Sequence, residues 1–344
     1  MKKKNSNYVK QALAAMVCCF AMMTSCGDKE EDTGKEDVAV YVCGAEIDPE
    51  DREDGDMKAV LWKDGKKQFL QPSAGKTSSV ASSVFISGNG DIYVAGSEYD
   101  EESDDNAVLW KNGVVQPLPR SGSDAGAYSV FVSGNDVYVS GYDDEWDDER
   151  DDTYAVLWKN GKEQFLTDGS NFAAGFSVFV SGNDVYVAGW EEQVSDYHAV
   201  LWKNGVAQYL TDRKDGSVAN SVYVSGKDVY VAGSEGNYAV LWKNGVPQKL
   251  TDGREALAAS VRVAGNDVYV SGRDGGDHAV LWKNGIPQTL SGTEDFAVAS
   301  SVFVSGNDVY VSGFVSDGGK LWKNGEEQTL SGAQNSIAIS VFVK

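Results

Sequence analysis

Three short motifs, each occurring seven times in a 344-residue chain, predict an all-β fold: a seven-bladed β-propeller of four-stranded antiparallel blades. Leu-Trp recurs with Trp62, Trp110, Trp158, Trp202, Trp242, Trp282 and Trp322, at spacings of 48, 48, 44, 40, 40 and 40 residues. Tyr-Val-small-Gly recurs with Tyr41, Tyr93, Tyr138, Tyr186, Tyr230, Tyr269 and Tyr310, and Ser-Val with Val84, Val130, Val178, Val222, Val261, Val302 and Val341. Composition agrees: 42% hydrophobic residues suffice for a core, and 38 glycines against 6 prolines, with short runs rich in Val and aromatics, favour strands and tight turns.

Residues 1–25 read as an address rather than as structure. Lys2, Lys3, Lys4 and Lys10 precede the apolar run Gln11 to Met23, and Thr24-Ser25-Cys26 follows, which is a basic segment, a short apolar segment and a small-residue cleavage site. The run is short for a transmembrane span. Ending in Ser-Cys, it resembles the lipobox of bacterial lipoproteins, with Met23 where that box usually has Leu. The resemblance implies cleavage before Cys26 and a lipid anchor on Cys26. The acidic stretch Asp28-Lys29-Glu30-Glu31-Asp32 opens a flexible tether over 26–37 and is similar to signals that send Gram-negative lipoproteins to the cell surface. The expected place is therefore the outer membrane, lipid-anchored and facing outward, with the propeller over 38–344.

The formal charge of −22 becomes −26 without the first 25 residues, which leave 26 basic against 52 acidic residues. Such a surface repels phosphate backbones, so nucleic acid is not the expected partner. Cys18 and Cys19 leave with the signal and Cys26 takes the lipid, so only Cys43 remains and no disulfide framework is possible. Cys43 stands where other repeats have Ala or Ser and is expected to be a small buried filler.

One repeat gives the blade. Ser301 to Ser305 reads as strand a, Asp308 to Ser312 as b, Lys320 to Lys323 as c and Glu327 to Leu330 as d. Gly306-Asn307 joins a to b, and Asn324-Gly325 joins c to d; Asn-Gly accepts the positive φ angles that a two-residue hairpin needs. Strands such as Val-Leu-Trp are apolar on both faces, so a lone sheet would leave one greasy side wet, and stacking the sheets in a ring removes that problem. The chain enters at strand b, Val40-Tyr41-Val42, and stops at strand a, Ser340 to Lys344. This matched deficit predicts that the C-terminal a strand pairs with the N-terminal b strand to close the ring; periodicity also allows a phase in which an outer N-terminal strand completes the last blade.

The order Ser-Val-Phe-Val-Ser-Gly-Asn, Asp-Val-Tyr-Val-Ser-Gly, Ala-Val-Leu-Trp resembles the blade of NHL-type bacterial surface propellers. His198 to Gly205 is similar to the HAF repeat of extracellular bacterial proteins. The resemblance spans nearly the whole mature chain and implies that strand a lines the axis. It implies no function, because propellers bind, catalyse and scaffold alike.

Antiparallel strands place the a–b and c–d turns at one end of the ring and the b–c and d–a connections at the other. The first end is nearly the same in every repeat; the second carries the variation, where a rigid scaffold displays function. The b–c loops of the first three blades are long and acidic: Glu46 to Asp56, Glu98 to Asp105 and Asp143 to Asp152. Asp51, Asp54 and Asp56 are the weak calcium candidates, although their glycine falls at the wrong step for an EF-hand, and no other cofactor is expected. Tyr142, Trp190, Arg273 and Phe314 share the position after the b-strand glycine, where other blades have Ala45, Ser97 and Ser234, and Trp146 also lies outside the repeat pattern. These are candidate ligand-binding residues, and their alternative role is to fold back on their own blades. Arg262 replaces the aromatic residue of the other a strands and is a candidate for an anion or carboxylate, or for a salt bridge to a nearby acid.

His198 and His278 share one repeat position and read as structural, and no nucleophile triad, zinc spacing or phosphate loop is visible. The expectation is a monomeric, non-catalytic binding module for a glycan or protein ligand. The alternative is a polysaccharide-active lyase or hydrolase on the same face, since acid pairs are plentiful.

Overall fold

A computed structural model describes residues 38–47, 56–99, 105–146, 151–193, 196–211, 216–292 and 296–344. The expected signal, Cys26 and the tether lie outside the described residues. The described chain forms twenty-eight strands in seven four-stranded antiparallel sheets, each paired in the order a, b, c, d. In the second blade these are Ser78–Ile86, Ile92–Tyr99, Asn106–Lys111 and Val114–Pro117.

Side-chain alternation builds the ring. In the first blade, Val60 and Trp62 face the seventh blade and join Tyr310, Leu321 and Val341, whereas Leu61 faces the second blade and joins Val84, Val94 and Trp110. A strand apolar on both faces thus serves two interfaces, and a separate cluster fills each of the seven junctions. Every repeat Trp is at most 2% exposed. Trp62, Trp110 and Trp158 donate their indole N–H to the carbonyls of Ser331, Gln71 and Pro119, at 3.0, 2.8 and 2.6 Å, in the connection entering their own blade. Cys43 is fully buried in one of these junctions, and burial pushes its thiol far above the usual range, as a filler requires.

The Ser-Val and Tyr-Val-small-Gly motifs each have a mechanical reason. The N–H of Val84, Val130, Val178, Val222, Val261, Val302 and Val341 donates to the preceding blade's Ser340, Ser83, Ser129, Ser177, Ser221, Ser260 and Ser301 at 3.2–3.4 Å, which ties the a strands into a circle. Each a strand then bulges, as between Ala219 and Ser221 in the fifth blade. The bulge leans a carbonyl across the b-strand glycine: a Cβ on Gly233 would lie 1.9 Å from the Val218 oxygen and 2.9 Å from the Trp242 ring.

Leu-Trp-Lys-Asn-Gly is a c strand running into a c–d turn. Asn244 and Gly245, at φ 51° and 79°, make the primed two-residue hairpin, and the other c–d turns share this backbone, with Asp64 replacing Asn in the first blade. Asn244 Nδ2 donates to Asp228 Oδ1 at 2.8 Å, its Oδ1 accepts from the Val229 N–H at 2.8 Å, and Lys243 pairs with Asp228 at 2.8 Å while lying over the Tyr230 ring. This staple recurs with Asp91, Asp136, Asp184, Asp267 and Asp308. The Asn and Lys hydrogen bonds hold the carboxyls of Asp91, Asp136, Asp184, Asp228 and Asp267 below their ordinary range.

The ring closes as the matched ends predict. Strand a at Ser336–Val343 pairs with strand b at Val40–Ile47, with Tyr41 opposite Phe342 and Val42 opposite Val341. Ala39 and Lys344 exchange backbone hydrogen bonds of 2.8 and 2.9 Å beyond them. The C-terminal strand is therefore the innermost strand of the first blade, which settles the phase.

Candidate functional site

At the b–c and d–a end the repeat geometry continues but the side chains differ. Ala45, Ser97, Tyr142, Trp190, Ser234, Arg273 and Phe314 each follow the b-strand glycine and lie opposite an a-strand residue, as Tyr142 lies opposite Gly126 and Arg273 opposite Leu257. The structure gathers the larger ones into separate local groups. Tyr142 lies over Gly126, where any Cβ would meet its ring at 2.3 Å, and its ring centroid is 5.7 Å from that of Tyr128. Tyr128 in turn meets Phe176 of the next blade edge-on at 5.0 Å. Both tyrosines are half-buried, and burial pushes both hydroxyls well up, with Asp105 adding to it.

Trp190 forms a T-shaped contact with Tyr197 at 4.7 Å, both on the fourth blade. Arg273 lies 4.9 Å from the centre of the Phe296 ring, and Phe296 stacks on Phe314 at 6.4 Å, a group shared by blades six and seven. Arg273 also pairs with Asp277 and donates to the Glu255 carbonyl at 2.9 Å. Trp146 ends strand b of the third blade, Asp136–Trp146, with its backbone opposite Asp151; its side chain is outside the description. Asp51 and Asp54 lie outside the described residues, and Asp56 accepts a 2.7 Å hydrogen bond from Ser78. Among the described residues no group of three His, Cys, Asp or Glu side chains is arranged to hold a metal. His278 is held by Asp274 at 3.0 Å, and His198 meets Tyr209 edge-on at 6.4 Å.

Arg262 is apart from all of these. Its a strand, Leu257–Ala264, turns into strand b only two residues later, so it belongs to the inner ring near the repeated end. Neighbouring rings meet there around the axis: Phe342 to Phe85 at 4.9 Å, Phe85 to Phe131 at 5.0 Å, Phe131 to Phe179 at 4.9 Å, Phe179 to Tyr223 at 4.8 Å and Phe303 to Phe342 at 4.8 Å. Arg262 fills the gap, its guanidinium 4.9 Å from the Tyr223 ring and 4.1 Å from the Phe303 ring. Cation–π stacking rather than a salt bridge accounts for its position.

Two features escaped the sequence reading. The bulge position holds Tyr128 and Phe176 where sister blades have Ser82, Asn220, Ala259, Ser300 and Ile339. Aligning strand a residue by residue would have exposed that varied column. The other is an acid pair on the third blade. Asp143, 1% exposed, accepts the N–H groups of Ser121 and Gly122 at 2.7 and 3.0 Å. Glu163 accepts from Ser121 Oγ at 2.7 Å, and its other oxygen is buried without a partner. Desolvation, with Asp143 adding to it, pushes the Glu163 carboxyl up to about 7. The first blade has Lys67 at this position, paired with Glu46; a Glu in place of that Lys was the signal to find. Beside the pair is a cavity of about 310 Å³ lined by Asp143, Ser121, Tyr154, Phe165 and Thr167 among others.

This architecture defines the protein as a seven-bladed β-propeller. No family model and no curated protein matches the sequence. Solved structures do match the fold. An acylaminoacyl peptidase in complex with Z-Gly-Gly-Phe-chloromethyl ketone is 13% identical with a TM-score of 0.53, over 87% of this chain and 51% of that one. The Pyrococcus horikoshii acylaminoacyl peptidase is 14% identical with a TM-score of 0.51, over 86% and 51%. The extracellular domain of a putative one component system from B. thetaiotaomicron is 12% identical with a TM-score of 0.48, over 83% and 38%. This chain spans about half the length of the peptidases it matches, and at such identities the likeness is one of fold.

Proposed function

We propose that the protein is a lipid-anchored surface lipoprotein, its repeats of NHL and HAF type, that binds a glycan or protein ligand through the b–c and d–a end of the propeller without catalysing a reaction. The observation that carries this reading is the contrast within one repeat. The staple at the a–b and c–d end recurs blade after blade, whereas the position after the b-strand glycine presents Tyr142, Trp190, Arg273 and Phe314 on four blades and small residues on three. A frame held constant at one end and varied at the other is how a rigid scaffold displays recognition. Half-buried aromatic faces such as Tyr128 and Phe314 offer stacking surface for sugar rings or peptide groups.

A binding screen against neutral and acidic polysaccharides and host proteins tests it, with the products checked for new reducing or unsaturated ends. Saturable binding with unchanged polymer is the expected result. New chain ends would replace this reading with a polysaccharide-active enzyme. The anchor has its own test: Cys26→Ser is expected to abolish fatty-acid labelling and release the protein, and persistent labelling would contradict a lipid on Cys26.

A further inference from the structure

The inner ring carries one charge, and nothing described in the protein answers it. Six blades place Phe or Tyr at this position, so the fold accepts an aromatic residue there, and the sixth blade has Arg262 instead. A guanidinium among rings is costly, because burial removes water that no apolar neighbour replaces. Desolvation accordingly pulls its pKa down, and the Tyr223 hydroxyl is what opposes this. The chain has 52 acidic residues, yet Arg262 forms no ion pair or hydrogen bond with any described residue. The repeat cations differ: Lys111, Lys159, Lys203, Lys243, Lys283 and Lys323 each pair with an aspartate within 3.2 Å.

The guanidinium carbon lies over the Tyr223 and Phe303 rings on either side. Its N–H donors lie in the guanidinium plane and form no hydrogen bond with a described residue, and its nitrogens are not fully buried. The flanking residue Tyr223 is the one phenol in a ring otherwise made of Phe85, Phe131, Phe179, Phe303 and Phe342. The two hydrogen-bond donors of the ring are therefore neighbours, on blades five and six. A planar anion that accepts two parallel N–H groups matches this fork, and aromatic walls favour a small organic anion over a strongly hydrated one.

We propose that the axial channel holds a small monocarboxylate at Arg262, gripped by the guanidinium with Tyr223 beside it. The site is independent of ligand recognition at the variable end. Acetate is the probe, titrated into the folded chain at constant ionic strength against chloride, with melting temperature and the line width of ¹³C-acetate as readouts. Wild type is expected to respond saturably to acetate beyond the chloride control. Arg262→Phe restores the residue of the sister blades; it is expected to melt no lower than wild type in chloride and to weaken acetate binding about tenfold or more, the loss of a charge-assisted hydrogen bond. Tyr223→Phe, which keeps the ring, is expected to weaken it less. An acetate response unchanged in Arg262→Phe, or absent from wild type, would overturn the proposal. So would an Arg262→Phe variant much less stable than wild type in chloride, which would make Arg262 a structural member of the ring.

Discussion

Gly233 shows how little freedom a single residue has here. Its missing Cβ is the space into which the Val218 carbonyl leans, at 1.9 Å from where that atom would stand, with the Trp242 ring behind. Gly233→Ala is expected to cost about 1–3 kcal/mol in chemical denaturation, the range for overpacking a filled core, whereas the same change at exposed Gly226 meets no atom and pays only for its φ of 61°. Glu163 makes the opposite kind of statement. Its carboxyl is ordinary when unfolded, near 4.5, and held up to about 7 when folded, so the native state binds the extra proton between those values. That contribution to stability is present below about 4.5 and is lost as pH rises through about 7. Glu163→Gln is therefore expected to flatten the fall in melting temperature across this window and to melt higher than wild type at pH 8. An unchanged slope would remove the acid pair from the account. Gly233 was visible as the glycine of a repeated motif but without its reason, and Glu163 needed its neighbours in space, Asp143 and Ser121, to become unusual.

At the scale of the element, the c–d hairpin is the unit that the sequence declares most loudly. Leu-Trp-Lys-Asn-Gly specifies a strand, a primed turn and a staple together, because Asn244 accepts the positive φ, donates to Asp228 and accepts from Val229. Asn244→Ala is expected to cost about 1–3 kcal/mol, from the left-handed backbone and the lost hydrogen bonds. Lys243→Ala should cost less and be screened by salt, since the Lys243 and Asp228 side chains are 51% and 39% exposed. The aspartates of the staples are depressed in the folded state, so their contribution is present above the ordinary carboxylate range and is lost as pH falls below that range through their depressed values, opposite in sign to Glu163. Strands and turns were legible in the sequence because each carries its own signal, alternation or Asn-Gly. The bulge was not, because an extra residue such as Asn220 has no signature of its own and appears only when strand b supplies the register.

At the scale of the molecule, closure makes the seven blades one object. The first and last described strands meet in one sheet, so removal of Ser336 to Lys344 strips the inner strand from the first blade, uncovers Val42 and Cys43 and opens the circle of Ser-Val hydrogen bonds at both sides. Loss of the cooperative unfolding transition is expected; a truncated protein melting as wild type would contradict closure as the source of rigidity. The number of blades, the closing pair and the division into a constant and a varied end were all readable from repeat spacing and chain ends. The grouping of Tyr142, Trp190, Arg273 and Phe314 was not, because equal repeat positions lie on different blades, and the partners Tyr128, Tyr197 and Phe296 come from strands and connections that the repeat does not link.

The central claim is that recognition belongs to the varied end. Its most direct measurement is a glycan and host-protein array probed with wild type, with a Trp190→Ala, Arg273→Ala, Phe314→Ala variant, and with a Lys203→Ala, Lys243→Ala variant altered only at the repeated end. Binding that is lost in the first variant and kept in the second is the predicted result. Binding kept in the first, or lost in the second while the fold is intact, would contradict it.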